Sequence, residues 1–273
     1  MYGPIGKALR LGRIFRRSTG RTVIIALDHG RRHGPIRGIE NLRETVGKVL
    51  EADIDAVMVT VGMIRHIYDL VAGRVAVIAR IDGTGTIRGP DQTDDRLISS
   101  VERALKYGAD AVSIMVWLGS RNEANQLEKL GLVSELCDDY GMPLLAEVIP
   151  CEPYLKDRYS PDTIAYGARI AAEYGADVVK TFYTGGRETF REVVRKIPIP
   201  IVVLGGPKKE RVLDVLEMVR GAIDAGGKGV AIGRNVFQHT NPTAMAQALV
   251  ELVHKGRSVE EVAETILGIK VKG

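Results

Sequence analysis

Short apolar runs rich in valine, isoleucine and alanine alternate along the chain with longer stretches in which apolar residues recur at helical spacing. Runs of the first kind predict strands enclosed on both faces, and those of the second predict helices packed by one face. The pattern places strands at Thr22–Asp28, Ala56–Val61, Val75–Asp82, Ala109–Trp117, Pro143–Ile149, Ala176–Phe182, Ile199–Gly205 and Lys228–Gly233. Between them it predicts helices at Asn41–Ala52, Ile64–Val71, Asp94–Tyr107, Asn122–Tyr140, Pro161–Tyr174, Arg187–Lys196, Lys209–Ala225 and Pro242–Lys255, with a further helix at Val259–Leu267. Regular alternation argues for parallel strands joined by right-handed crossovers, and eight such units close into a barrel. Several helices end in one punctuation, Tyr107-Gly-Ala-Asp110, Tyr174-Gly-Ala-Asp177 and Ala225-Gly-Gly-Lys228. There a glycine past the last turn releases the chain into the next strand. No low-complexity linker interrupts the pattern, so residues 1–273 are expected to form one α/β domain, a single (β/α)8 TIM barrel with a short N-terminal helical extension. An open doubly wound sheet fits less well, because the first strand ends in Asp28-His29-Gly30 rather than a glycine-rich fingerprint.

The length of 273 residues suits such a barrel, and 45% hydrophobic with 26% charged residues is ordinary globular material. A net charge of +4, from 38 basic and 34 acidic residues, describes a mixed surface and gives no reason to expect nucleic acid. Arg10, Arg13, Arg16, Arg17 and Arg21 cluster near the start, but Leu11, Ile14 and Phe15 between them predict an amphipathic segment docked on the body or on a neighbouring subunit. Two cysteines, Cys137 and Cys151, supply neither a disulfide framework nor a metal cluster, and the expected setting is a reducing cytoplasm. No apolar run approaches the roughly 20 residues that would span a bilayer. No membrane role is therefore expected.

The residue that changes this picture is Lys180, set in the run from Gly175 to Gly185 that otherwise reads as a buried strand. An enclosed ammonium is costly unless paired or neutralised, and a neutral amine attacks a ketone to form a Schiff base. The competing reading is a lysine near a strand end that bends its head out to water. In a barrel, functional groups collect at the C-terminal strand ends. There the chain carries Asp28 and His29 on strand one, Arg80 and Asp82 on strand three, Glu147 on strand five and Lys180 on strand six. Alternation along the strands allows Asp28, Glu147 and Lys180 to share the barrel mouth. The ends of strands seven and eight carry Gly205-Gly206-Pro207-Lys208 and Gly233-Arg234-Asn235, two glycine turns with basic side chains where barrels often bind phosphate. His33 and His66 are expected at the same rim, Met115 and Trp117 as barrel packing, and Tyr183 as a wall of the pocket.

Taken in order and spacing, Leu27-Asp-His-Gly30, Val179-Lys-Thr-Phe-Tyr-Thr-Gly185, Gly205-Gly-Pro-Lys208 and Gly233-Arg-Asn-Val-Phe-Gln238 resemble the archaeal-type class I fructose-bisphosphate aldolases. These are DeoC/LacD-like aldolases, a group that includes aminodideoxyheptulosonate synthases and autoinducer-2 phosphate thiolases. The resemblance implies a barrel assembled into a homo-oligomeric, decamer-like ring. It also implies that Lys180 forms the Schiff base with a phosphorylated sugar, that Asp28 assists proton transfer, and that Gly205, Gly206, Lys208, Gly233 and Arg234 cradle phosphate, with no metal or cofactor required. One departure stands out. Typical aldolases of the family end strand five in Tyr-Pro-Arg-Gly, whose tyrosine is the general acid and base, whereas this chain reads Glu147-Val-Ile-Pro-Cys-Glu152 and places Ile149 there. Glu147 is the expected substitute if burial raises its pKa, with an ion pair to Arg80 or Lys180 as the competing role, and Tyr154 follows in the loop. Arg80 and His29 are expected near substrate, Arg80 alternatively as an internal salt bridge.

Three functions follow from this resemblance. The first is a Schiff-base aldolase with fructose 1,6-bisphosphate as default substrate, serving glycolysis and gluconeogenesis. The second is a transaldolase-like 2-amino-3,7-dideoxy-D-threo-hept-6-ulosonate synthase using the same lysine, a branch that the Arg-Leu-Gly-Arg-Ile-Phe-Arg-Arg segment and Asn235-Val-Phe-Gln-His239 resemble at least as much. The third is a sugar-phosphate-binding ring without turnover.

Overall fold

The eight apolar runs pair side by side in the order in which the chain presents them. They form β1 (Thr22–Ala26), β2 (Ala56–Thr60), β3 (Ala76–Arg80), β4 (Ala111–Leu118), β5 (Leu144–Pro150), β6 (Val178–Thr181), β7 (Ile201–Leu204) and β8 (Gly229–Ile232). The computed structural model describes residues 3–270. All neighbouring strands are parallel, and β8 returns to β1 from Thr22↔Gly229 to Ile25↔Ile232, so the sheet closes into a (β/α)8 barrel. The two-residue period of a strand splits each run between two cores. Ile24, Met58, Ile78, Val202 and Ala231 cluster together, whereas Val23, Val57, Val77, Val203 and Val230 join the larger cluster built with the helices.

The N-terminal arginines are spent on the barrel's lower end. Helix Gly3–Ile14 sets Ile14 into the inner cluster, with Leu11 and Phe15 against it. Each aspartate of the recurring punctuation, with Asp55 as a third case, clips the preceding strand. Asp55 accepts from the Val23 amide at 2.7 Å, Asp110 from Val77 at 3.0 Å and Asp177 from Leu144 at 2.8 Å. Each carboxylate also takes a cation of the N-terminal segment: the second oxygen of Asp55 holds Arg16 at 2.9 Å, that of Asp110 holds Arg13 at 2.8 Å, and Lys7 sits astride both oxygens of Asp177 at 2.9 and 3.1 Å. One side chain thus fixes strand register and docks the helix, and the expected amphipathic segment lies on the chain's own body.

The elements differ from the pattern-based expectation mainly at the upper end. Helices Arg187–Lys196 and Val259–Leu267 form as expected. The expected helix Asp94–Tyr107 shrinks to Val101–Lys106, because Ser100 caps it through the Arg103 amide while Asp95 is drawn into the mouth by the Gly85 amide and two arginines. Lys209 does not begin its helix, which runs Val212–Asp224, since its amide donates to Asn235 Oδ1 at 2.8 Å. Ile64–Val71 resolves into two single turns, Val61–Ile64 and Tyr68–Val71, and Pro242–Val250 continues as a π-helical turn over Glu251–Lys255.

Asp55 also pairs with His254 Nε2 at 2.7 Å, so Asp55→Ala leaves the buried Val23 amide without its acceptor and removes one partner each from His254 and from Arg16, which keeps Asp53. We expect a stability loss of about 2–4 kcal/mol in chemical denaturation. Activity per folded molecule should be retained, because the clip lies at the end of the barrel opposite the mouth; a change below about 0.5 kcal/mol would remove the clip from the account of stability.

Candidate active site

The upper ends of β1, β3, β5 and β6 bring four charged side chains into one buried group. Strand pairing sets Glu147 directly beside Lys180, and their side chains meet with Nζ 2.9 Å from Oε1. Arg80, fully enclosed on β3, reaches in three directions. Its Nε donates to Asp28 Oδ2 at 2.8 Å, one terminal nitrogen approaches Asp82 at 3.4 Å, and the other donates to the second oxygen of Glu147. Lys129, from helix Glu123–Tyr140, compensates the other side of Asp82 at 2.7 Å. Lys180 is thus neither isolated nor turned out to water.

This pairing sets the protonation states. Burial alone would raise the carboxyls of Asp28 and Glu147. At Asp28 burial is outweighed only by several cations together, Arg80 first with Lys180 and Arg31, and at Glu147 by Lys180 with Arg80, so both are held well below the usual carboxylate range. Burial likewise opposes the Arg80 charge, but Glu147, Asp28 and Asp82 hold it firmly protonated. The rise in Glu147 pKa expected from the sequence is therefore reversed: both its oxygens are in ion pairs. Of the two roles expected for Arg80, the internal salt bridge is what its ion pairs form, and the side chain lies outside the cavity wall. His29, 3.7 Å from Asp28 Oδ1 and edge-on to Phe237, is pushed down to about 4 by burial, only partly offset by Asp28, and stays neutral near pH 7.

Above this floor lies a cavity of about 250 Å³, walled by Asp28, His29, Glu147, Lys180, Gly205, Gly206, Gly233 and Arg234 among others. The two glycine turns are held together by Asn235, which donates from its amide nitrogen to the carbonyls of Gly205 at 2.9 Å and Pro207 at 3.0 Å. Gly233 is dictated by space: a Cβ there would sit 2.4 Å from the His29 ring. Lys208, expected in the same cradle, instead lines an adjoining cleft with Tyr183 that shares the Gly205–Pro207 turn.

Other groups in the wall were not foreseen. Met115 and Trp117, expected as packing, line the cavity, and Trp117 Nε1 donates to Asp95 at 2.8 Å. Asp95 also holds Arg32 at 2.7 Å and Arg31 at 3.3 Å. The loop after β5 contributes Arg158 and Tyr159, whereas Tyr154 is 74% exposed and absent from the wall. Only the Asp-His-Gly-Arg-Arg run hinted at the arginines; nothing in the spacing marked Asp95 or Arg158.

Comparison with known proteins gives this constellation a lineage. The profile of the DeoC/LacD family aldolases matches residues 22–239. The 2-amino-3,7-dideoxy-D-threo-hept-6-ulosonate synthase 1 of Archaeoglobus fulgidus is 42% identical over 271 residues, 97% of each chain. The 2-amino-4,5-dihydroxy-6-oxo-7-(phosphonooxy)heptanoate synthase of Streptomyces griseus is 37% identical over 251 residues, 92% of this chain and 91% of that one. Among solved structures, an archaeal fructose 1,6-bisphosphate aldolase superposes with a TM-score of 0.84 at 33% identity, covering 92% of this chain and all of its own. With a lysine on β6 at the floor of the barrel mouth and these relatives matched along nearly its whole length, the chain belongs to the DeoC/LacD aldolase family and is an enzyme of the class I, Schiff-base type.

Proposed function

We propose that this enzyme transfers a three-carbon keto fragment, held as an imine on Lys180, from a phosphorylated donor to the aldehyde of aspartate semialdehyde, building a seven-carbon 2-amino acid. The observation that carries the reading is the Lys180–Glu147 pair on the floor of a cavity whose far wall is the double glycine turn and Arg234. The names of both curated relatives describe seven-carbon 2-amino acids with a carbonyl at carbon six, and such a chain divides into a three-carbon ketone and a four-carbon amino aldehyde. The two curated relatives favour this branch over fructose 1,6-bisphosphate cleavage, and the family's glycolytic role is not carried over.

In the proposed cycle, Glu147 takes a proton from Lys180, whose freed amine attacks the donor's ketone carbon. The carbinolamine hydroxyl takes the proton held by Glu147 and leaves as water, giving an iminium. The donor's C–C bond then breaks as the adjoining hydroxyl gives its proton to Glu147, the bond's electrons pass into the iminium to form an enamine, and an aldehyde departs, leaving on Glu147 the proton that the acceptor's oxygen takes next. The enamine carbon next attacks the acceptor's aldehyde carbon, whose oxygen takes a proton as the new C–C bond forms. Water finally hydrolyses the iminium, freeing product and amine. Asp28, ionised and 2.8 Å from Arg80, stabilises the cationic imine from the β1 side. Arg234 and the amides around Gly205, Gly206 and Gly233 hold the donor's phosphate, burial of Arg234 strengthening its pull on an anion.

Borohydride reduction in the presence of dihydroxyacetone phosphate, read by intact mass, is expected to add one three-carbon phosphate adduct to the native chain and none to Lys180→Met. An unmodified native protein would remove the Schiff-base step from this chain. Given a ketose phosphate donor, aspartate semialdehyde should be used at least about tenfold better in kcat/KM than glyceraldehyde 3-phosphate. The reverse preference leaves the imine chemistry standing and returns the substrate to the fructose 1,6-bisphosphate class. In Glu147→Gln, which keeps the shape but cannot accept the Lys180 proton, adduct formation should slow by about 10²-fold at pH 7 in protein verified as folded. Undiminished trapping would exclude Glu147 as the proton acceptor.

A further inference from the structure

Four arginines line the cavity, and they divide into two pairs by what surrounds them. Arg31 and Arg32 share Asp95. Arg158 and Arg234 have no carboxylate within salt-bridge distance among the described residues, and the Nε of each is shielded from solvent without a hydrogen-bond partner. Arg234 sits at the end of β8 beside the glycine turns already read as the donor's phosphate cradle. Arg158 stands on the loop after β5, and β5 and β8 are three strands apart around the closed sheet. The two uncompensated guanidinium groups therefore approach the mouth from well-separated sectors, with Lys180 on β6 between them in the strand order.

The setting of Arg158 is specific. Its guanidinium carbon lies 4.9 Å from the centre of the Phe182 ring and 5.9 Å from that of Tyr159, and the two rings pack edge to face at 4.8 Å. Aromatic faces stabilise a guanidinium while leaving the hydrogens at its edge unsatisfied. Phe182 is two residues beyond the Schiff-base lysine, so this platform is tied to the reacting strand. Arg158 lines the cavity without a carboxylate partner, and an incoming planar anion that accepts from its guanidinium there would supply one.

Resting on the Schiff-base reading above, we propose that Arg158 binds the anionic end of the acceptor aldehyde and so determines which acceptor the enamine attacks. The donor is anchored by its phosphate at Arg234 and by its imine at Lys180; the acceptor is anchored by its own carboxylate or phosphate at Arg158, which directs its aldehyde carbon toward the enamine. Charge at both ends then selects the substrate pair, and neutral aldehydes are poor acceptors for want of a partner for Arg158.

The test is steady-state kinetics with three acceptors, L-aspartate 4-semialdehyde, D-glyceraldehyde 3-phosphate and uncharged D-glyceraldehyde, on the native enzyme, Arg158→Met and Arg158→Lys. Arg158→Met keeps a stem of similar length against Phe182 and removes the fork. It is expected to lower the ratio of kcat/KM for the preferred charged acceptor to that for glyceraldehyde by about 10- to 100-fold, mostly through KM. Arg158→Lys should recover part of that ratio. The charged acceptor whose KM rises more reports whether the group read is carboxylate or phosphate. An equal loss for charged and uncharged acceptors, or a loss of the borohydride adduct with dihydroxyacetone phosphate, would overturn the assignment by making Arg158 a donor or purely structural residue. Absence of that adduct in the native enzyme is a separate result, which removes the Schiff-base reading itself.

Discussion

Charge neutrality in a space closed to water is the constraint on which the site depends. Arg80, Lys129 and Lys180 are enclosed together with Asp28, Asp82 and Glu147, so three cations meet three carboxylates inside a barrel otherwise filled by aliphatic side chains. An ion alone in such surroundings costs several kcal/mol, and each member is tolerated because the others balance it. The network follows from strand geometry: β3, β5 and β6 each present one charged residue at the same height, and β1 supplies Asp28 just beyond its last residue. In the proposed cycle an iminium on Lys180 keeps the cationic charge at that nitrogen, so the balance survives its formation.

The two ends of the barrel divide the work. At the lower end Asp55, Asp110 and Asp177 each join a strand amide to a cation of the N-terminal segment, and these charges are committed to register and docking. At the upper end the segment after β3 folds over the mouth, anchored by the Asp82↔Leu97 bridge and by Asp95, which holds Arg31, Arg32 and Trp117 together. Arg158 and Arg234 remain uncommitted among the residues of the wall. A carboxylate that fixes structure is surrounded by donors from several elements, whereas a guanidinium facing a cavity without an acceptor is available to a ligand.

This division explains what could be read from the chain. The barrel and the placement of Lys180 and the glycine turns at its mouth were legible because each is a local pattern: a period of two, one polar residue in an apolar run, two glycines at a strand end. The Gly-Ala-Asp punctuation was visible as a helix stop, but the function of its aspartate belongs to the neighbouring strand and was not. Trp117 read as packing because an aromatic in a strand usually is. Asp95 read as helical because its neighbours have helical spacing, although four donors from other segments capture its side chain. In the loop after β5, sequence order pointed to Tyr154, yet the chain turns so that Tyr159 and Arg158 face the cavity. Loop direction is set by tertiary contacts such as the Tyr154 amide to Gly119 carbonyl bond, which no local pattern encodes.

The replacement at strand five bears on how protons are handled. Ile149 contributes only hydrocarbon to the wall, and His29, held at about 4, is neutral and offers a weak base. That leaves the two ionised carboxylates as the basic groups beside the amine, of which Glu147 is in direct contact with Lys180. An apolar neighbour makes this contact stronger, since the pair interacts through hydrocarbon rather than water. In the proposed cycle, when C–C cleavage turns the cationic iminium on Lys180 into a neutral enamine, Glu147 loses that cation and retains Arg80, so its affinity for a proton rises at that step. The protonated acid is then available to the aldehyde oxygen when the new bond forms, and the same Arg80 contact that holds the carboxylate ionised at rest returns it to that state when hydrolysis restores the amine.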